Sequence, residues 1–226
     1  MIGIISDIHG NHVALTAVLN RLDELGVSEI ICLGDISGYY CQINECCETL
    51  RARNIFSLMG NHDLYLTKSQ CCPRSNSANV CLEYQKNVIT PENMAWLSSL
   101  NYAAEIDGLR VVHGGWNDAI DEYIKPSDAY FHRLEGRYFA SGHTHVPCIW
   151  HGVDKTYCNP GSVGQPRDGD PRASFATLNE GNFELHRIEY DIVSVQRAMS
   201  NAGFSSYFFE NLSNGTQIGG KISSYG

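Results

Sequence analysis

The first third of the chain alternates short apolar runs with amphipathic segments. Residues 2–6 form a nearly continuous apolar run, which predicts a strand covered on both faces. A polar loop follows, Asp7-Ile8-His9-Gly10-Asn11. Over residues 13–25 the period changes: Leu15, Val18, Leu19, Leu22 and Leu25 share one helical face, and Gly26 supplies a stop. Residues 30–33 read as a second buried strand, ended by Gly34-Asp35. Residues 42–53 read as a helix and 55–59 as a third strand, ended by Gly60-Asn61-His62-Asp63. This order predicts right-handed crossovers and a largely parallel sheet. Ligands of such sheets bind beyond the carboxyl ends of the strands. The polar clusters at 7–9, 34–35 and 61–63 all lie on that edge.

The middle is less regular. Residues 64–87 are rich in Ser, Asn, Gln and Cys. They predict one helix over 77–87, in a segment that covers part of a site entrance. Thr90-Pro91 opens another helix, with Thr as N-cap and Pro in the first turn, and Trp96, Leu97 and Leu100 as its buried side. Strands then dominate. Residues 102–106 and 109–112 flank the hairpin turn Asp107-Gly108, and the second run delivers His113-Gly114-Gly115. Residues 137–141 deliver Gly142-His143-Thr144-His145. Short strands over 149–158 turn at His151-Gly152 and lead to the Gly-rich loop Asn159-Pro160-Gly161-Ser162-Val163-Gly164. Residues 173–178 and 183–190 pair across 179–182, and Asp191 caps a last helix to Ala202. Beyond Gly203 the sequence predicts a short helix over 206–212 and a frayed, flexible tail. No repeat or linker divides the chain, so residues 1–226 read as one domain.

Composition narrows the function. The formal net charge is −9, which makes a nucleic-acid backbone a poor partner but suits a carboxylate-bound cation. No apolar run approaches the ~20 residues that span a bilayer. Residues 1–6 carry no basic leader, and the nine cysteines include no Cys-x-x-Cys pair. A cytoplasmic protein with reduced thiols is expected.

The chemistry gathers at the strand ends. Asp7, His9, Asp35, Asn61, His62, Asp63, His113, His143 and His145 each stand beside glycine or at the end of an apolar run. One histidine alone is ordinarily structural. Five strand ends bearing ligand-type side chains argue for a shared centre. His143 and His145 are two apart on an extended segment, so they point the same way. Nitrogen and oxygen donors without thiolate suit Mn, Fe, Ni or Zn.

These motifs are similar to those of the calcineurin-like metallophosphoesterases. Asp7-x-His9, Gly34-Asp35, Gly60-Asn61-His62-Asp63, His113-Gly114 and Gly142-His143-x-His145 occur in that order. The stretches 34–39 and 159–167 resemble the small bacterial and archaeal phosphodiesterase-like branch. The resemblance implies an α/β fold with four layers, α-β-β-α, in which two packed mixed sheets are flanked by helices. It assigns a first metal to Asp7, His9, Asp35 and His145, and a second to Asp35, Asn61, His113 and His143. It implies two divalent ions, manganese first and iron, nickel or zinc as substitutes, with a bridging hydroxide that attacks phosphorus. It makes His62 the acid to the leaving oxygen, oriented by Asp63. The implied substrate is a small phosphate mono- or diester, with no nucleic acid and no membrane as partner. Tyr39, Arg167, Gly161 and Ser162 are candidate substrate contacts, Tyr40 and Tyr65 candidate pocket residues, and Trp116 a candidate wall.

Three other functions compete. One is hydrolysis of dinucleoside polyphosphates, with a base stacked on a tyrosine. Another is Ser/Thr protein phosphatase activity, which that branch supports with Asp and Arg after its Gly-Asp and Arg before its Gly-Asn-His. Here those stretches read Ile36-Ser37-Gly38-Tyr39 and Met59, so the phosphate-gripping arginines are missing. A non-catalytic scaffold is the last, and the complete set of ligand-type residues argues against it.

Overall fold

The computed structural model describes residues 1–224. In chain order the first half contains β1 (Ile2–Ile5), α1 (His12–Glu24), β2 (Glu29–Cys32), α2 (Ile43–Ala52), β3 (Phe56–Ser57), α3 (Asn61–Lys68), α4 (Asn76–Val88) and α5 (Pro91–Ser98). The second half contains β4 (Ala103–Ile106), β5 (Leu109–Val112), α6 (Asp128–Phe131), β6 (Tyr138–Ala140), β7 (Cys148–His151), β8 (Thr156–Asn159), β9 (Ala173–Asn179), β10 (Asn182–Ile188) and α7 (Ile192–Asn201).

Two mixed five-stranded sheets result, ordered β10-β9-β1-β2-β3 and β4-β5-β6-β8-β7. The expected parallel core is present: Ile4 lies opposite Ile31, and Cys32 opposite Ser57. It is not the whole sheet, because β9 returns antiparallel beside β1, with Ile4 opposite Ala176. In the second sheet β5, β6 and β8 are parallel, and β4 and β7 are antiparallel edges.

Ile4, Ile31 and Leu58 from the first sheet meet Leu109, Val111 and Ala140 from the second in one apolar layer. On the outer face of the first sheet, α1 buries Ala14, Leu15, Val18, Leu19 and Leu22, and the Asn11 side chain caps it by accepting the Ala14 N–H. Phe139 and Tyr157 on the outer face of the second sheet are covered by Ile124, Phe131 and Trp116. The hairpin at Asp107-Gly108 has φ of 49° and 79°, the left-handed pair its turn requires.

Two expectations need correction. The polar segment after Gly60 contains a helix, α3, that its weak apolar pattern hid. The C-terminal segment is not frayed through residue 224. It makes 3₁₀ turns at Ser206–Phe208 and Glu210–Asn214, buries Asn211 and Leu212, and ties Asn211 Nδ2 to the Tyr40 hydroxyl at 3.2 Å. The Ser223 N–H donates to the Arg167 carbonyl at 2.7 Å. Alternating small and polar residues gave no period, but the segment packs on a prebuilt surface. Among the described residues no helix is long and apolar enough to cross a membrane.

Candidate metal centre

Five strand ends converge on one edge. Asp7 and His9 follow β1, Asp35 follows β2, Asn61 and His62 open α3 after β3, His113 follows β5, and His143 and His145 follow β6. None of these residues is more than 4% exposed. The backbone there is strained. Asp7, His9, Asp35, His143 and His145 all have positive φ, between 53° and 67°. This region costs a residue with a Cβ about 1 kcal/mol or more. Cross-loop hydrogen bonds hold it: Asp7 N–H to the Gly34 carbonyl at 3.0 Å, His9 N–H to Asp35 at 2.9 Å, Gly142 N–H to His113 at 2.9 Å. Glycine is required where loops touch. A Cβ on Gly60 would stand 2.2 Å from Asp35 Oδ1, and one on Gly142 would stand 1.9 Å from Ser6 Oγ.

The imidazoles fix the character of the site. His9 Nδ1 lies 2.7 Å from the Ser37 carbonyl, His145 Nδ1 2.6 Å from that of Gln165, and His113 Nδ1 2.9 Å from that of Leu33. A carbonyl only accepts, so each Nδ1 carries the hydrogen; the neutral rings of His9 and His145 present a lone pair at Nε2, and His113 does so once its second proton is displaced. The Nε2 atoms of His9 and His145 are 3.0 Å apart. Two lone pairs facing at that distance repel unless a cation lies between or beside them. Asp7 Oδ1 and His143 Nε2 are buried without hydrogen-bond partners. Divalent cations held by the cluster would satisfy these atoms, so the residues fit the metal.

The donors form two groups that share one residue. Asp7, His9, Asp35 and His145 bring ligand atoms within 4.8 Å of one another, as do Asp35, His113 and His143. Asn61 Oδ1 joins the second group, 3.1 Å from His113 Nε2. Asp35 Oδ2 is 3.7 Å from His9 Nε2 and 3.4 Å from His113 Nε2.

Charge follows geometry. Burial works to raise the Asp35 pKa, yet His113, His62 and His9 hold it well below the usual range. Asp7 is likewise lowered against burial, by His145. Burial opposes a charged His113, but Asp35 outweighs it and lifts the ring to about 9. Burial pushes His62 down to about 4, against the pull of Asp35 and with Arg167 adding to the effect.

His62 faces the pocket with its Nδ1 unpartnered, among the rings of His9, Tyr39 and Tyr65. Its backbone N–H donates to Asp35 Oδ1 at 2.8 Å. Asp63 does not hold the imidazole. Its carboxylate accepts from the N–H groups of Ile36, Ser37 and Gly60 and from Ser37 Oγ, at 2.8–3.3 Å. It clamps the Asp35 loop onto the start of α3. Burial, then Asp35, raises it to about 6.

Gly161 and Ser162 also leave the substrate list. The Gly161 N–H donates to Asn159 Oδ1, Ser162 Oγ donates to the Asp7 carbonyl at 2.7 Å, and the N–H groups of Val163 and Gly164 go to Ser6 and Asp7. The Gly161 N–H closes a turn within its own loop and the other three donors brace the Asp7 loop, so none of the four is turned to a phosphate. Tyr39 and Arg167 do line the pocket, with the guanidinium 5.4 Å from the Tyr39 ring centre. Tyr65 sits beside the His62 ring, whereas Tyr40 is buried against Gln165 and Asn211.

Trp116 packs into the second sheet's outer cluster, and Tyr123 takes the wall position, its ring 4.2 Å from that of His143. Asp121 was missed. Its Oδ1 is 3.3 Å from His143 Nε2, and Arg74 grips it from the 64–87 segment. His143 and Arg74 hold the Asp121 carboxyl low against burial. Nothing in the spacing around Asp121 marks it, because the contact is made by loop packing. Cys72, Arg74, Ser75, Asn76 and Ser77 line the entrance as anticipated. Tyr207, Gln217 and Ile218 of the C-terminal segment line it too.

The chain is 39% identical over 217 residues to the uncharacterized protein MJ0912 of Methanocaldococcus jannaschii, covering 85% of this chain and 88% of the relative. Its fold matches the crystal structure of a metallophosphoesterase from Sphaerobacter thermophilus at a TM-score of 0.83 and 34% identity, covering 95% of this chain and 98% of that one. The hypothetical protein PH1004 from Pyrococcus horikoshii OT3 matches at 0.82 and 20% identity, covering 95% and 99%, and shows the same fold. The family described as the calcineurin-like phosphoesterase superfamily domain matches residues 1–182. With that span, these relatives and a buried Asp/His cluster fit for divalent metal, the chain belongs to the calcineurin-like phosphoesterase superfamily.

Proposed function

We propose that this chain hydrolyses small phosphate mono- or diesters at a centre of two divalent cations, manganese first among them. One observation carries the reading: two groups of ligand atoms, each within 4.8 Å, meet at Asp35. Asp7, His9, Asp35 and His145 would hold one cation, and Asp35, Asn61, His113 and His143 the other. When bound, such a pair neutralises phosphoryl charge and activates water. The chain's own residues do the rest. The carbonyls of Ser37, Leu33 and Gln165 fix the tautomers of His9, His113 and His145, so that Nε2 faces inward. Arg167 lines the pocket as a charge partner for an anionic ester. His62, neutral when the pocket holds no anion, would gain basicity beside an anionic ester, take up a proton from water and give it to the leaving oxygen. A reducing, cytoplasmic setting belongs to the same proposal, on nine cysteines that include no Cys-x-x-Cys pair. The test is one activity screen with added Mn²⁺ across phosphomonoesters, phosphodiesters, dinucleoside polyphosphates, sugar phosphates and a phosphopeptide. Metal-dependent turnover of mono- or diesters is expected. Stoichiometric metal with no turnover of any ester would leave the scaffold reading standing.

A further inference from the structure

The pocket over the Asp/His cluster, of about 450 Å³, opens beside a second compartment of about 430 Å³. Tyr123, Arg167 and Gln217 line both, so the two share a wall. One side of the second compartment is built by the C-terminal segment, which lies beyond the residues matched by the family, 1–182. That segment is anchored: Gly169 N–H donates to the Gly215 carbonyl at 2.9 Å, Gln217 N–H to Lys221 at 2.9 Å, and Ser223 N–H to Arg167 at 2.7 Å. Its placement therefore does not depend on the side chains of residues 221 and 222.

The lining has a consistent chemistry. Ile124, Val146 and Ile222 supply apolar surface. Lys125, Arg167 and Lys221 supply positive charge, and among the described residues no acidic one lines the compartment. In a chain of net charge −9, that concentration of cations runs against the bulk composition. Lys125 and Lys221 are exposed and make no ion pair among the described residues. Two such ammonium groups beside an apolar lining suit an organic group that ends in an anion.

We propose that this compartment receives the organic part of the substrate, and that this part carries a second anionic group, a phosphate or a carboxylate, bound by Lys125 and Lys221. The proposal rests on the phosphoesterase reading for the group placed over the Asp/His cluster. The substrate class narrows accordingly to phosphate esters with two separated anionic centres.

Binding by calorimetry to the full-length protein with Mn²⁺ tests it with probes that cannot be hydrolysed. These are alkylphosphonates, ω-carboxyalkylphosphonates and alkane-α,ω-bisphosphonates, with chains of about three to about eight carbons. If the lysines receive the second anion, a two-anion probe of one favoured length binds about tenfold more tightly than the alkylphosphonate of that length. Whether the carboxylate or the bisphosphonate series gains more identifies the anion. Lys221→Gln should reduce the gain, and Lys125→Glu with Lys221→Glu should abolish it. Absence of a gain at every length, or a gain that survives the double reversal, overturns the proposal. Ester turnover measured alongside separates the two readings. A gain without turnover keeps the compartment and removes the esterase, and turnover without a gain does the reverse.

Discussion

Replacing Gly60 by alanine tests whether packing against the β3–α3 turn sets the position of Asp35. Gly60 has φ −96° and ψ 178°, an extended conformation that alanine adopts freely. The whole effect is therefore steric. The new Cβ would lie 2.2 Å from Asp35 Oδ1 and 2.3 Å from Asp35 N, where ordinary contact begins near 3.4 Å. One side must yield by about 1 Å. Asp35 has little room, since His62 N–H donates to its Oδ1 at 2.8 Å and its Oδ2 faces His113 at 3.4 Å. Overpacking of this kind costs about 1–3 kcal/mol. Metal–ligand distances tolerate only about 0.2 Å, so a shift of the shared carboxylate should weaken Mn²⁺ binding by about tenfold to a hundredfold. Thermal unfolding without metal reads the first effect, and calorimetric titration with Mn²⁺ reads the second. Gly26→Ala is the control. It has positive φ but nothing within 4 Å of its would-be Cβ, so it should cost about 1 kcal/mol and leave Mn²⁺ affinity alone. Wild-type Mn²⁺ affinity in Gly60→Ala would refute the steric placement of Asp35.

His62→Ala should keep its metal and lose most turnover, least for esters of low-pKa leaving groups such as nitrophenolate. Hydrolysis of alkyl esters at the wild-type rate would remove His62 as the acid. Ser162→Ala leaves the Gln165 N–H without a partner and takes one of two donors from the Asp7 carbonyl, which keeps the Gly164 N–H, for about 1–3 kcal/mol of stability. KM should change little, and a KM effect without a stability loss would restore Ser162 as a substrate contact. His113, lifted to about 9, holds a proton in the metal-free protein. Because its folded pKa lies above its ordinary one, that stabilisation is complete below about pH 6.5 and is lost as pH rises through about 9. A cation must displace the proton, so Mn²⁺ affinity should rise between about pH 7 and about pH 9, with proton release visible in buffers of different ionisation enthalpy. Flat affinity across that range would contradict the proton's placement.

Much of this arrangement was legible in the chain. The ligand residues stand where apolar runs end, and a parallel core forces those ends to one edge, so Asp7, Asp35 and Asn61 were readable from period and punctuation. The two-apart spacing of His143 and His145 also survived, although both sit at positive φ rather than in extended backbone. What failed did so for physical reasons. Asp63 follows His62 directly, but the first turn of a helix sends their side chains apart, and the carboxylate caps the helix instead. Gly161 and Ser162 after β8 read as substrate contacts because their donors look free in sequence, but the Gly161 N–H is consumed by Asn159 and Ser162 Oγ by the Asp7 loop. Asp121, Arg74 and the C-terminal wall depend on contacts between distant segments, which no local pattern encodes.

Asp35 is the point where the account is most exposed, since both ligand groups include it. Manganese content per chain, measured after reconstitution and gel filtration, compares the wild type with Asp35→Asn. Two Mn²⁺ per chain in the wild type and loss of both in the variant is the predicted result. Full occupancy in Asp35→Asn, or loss of only one ion, would contradict a centre shared through that carboxylate.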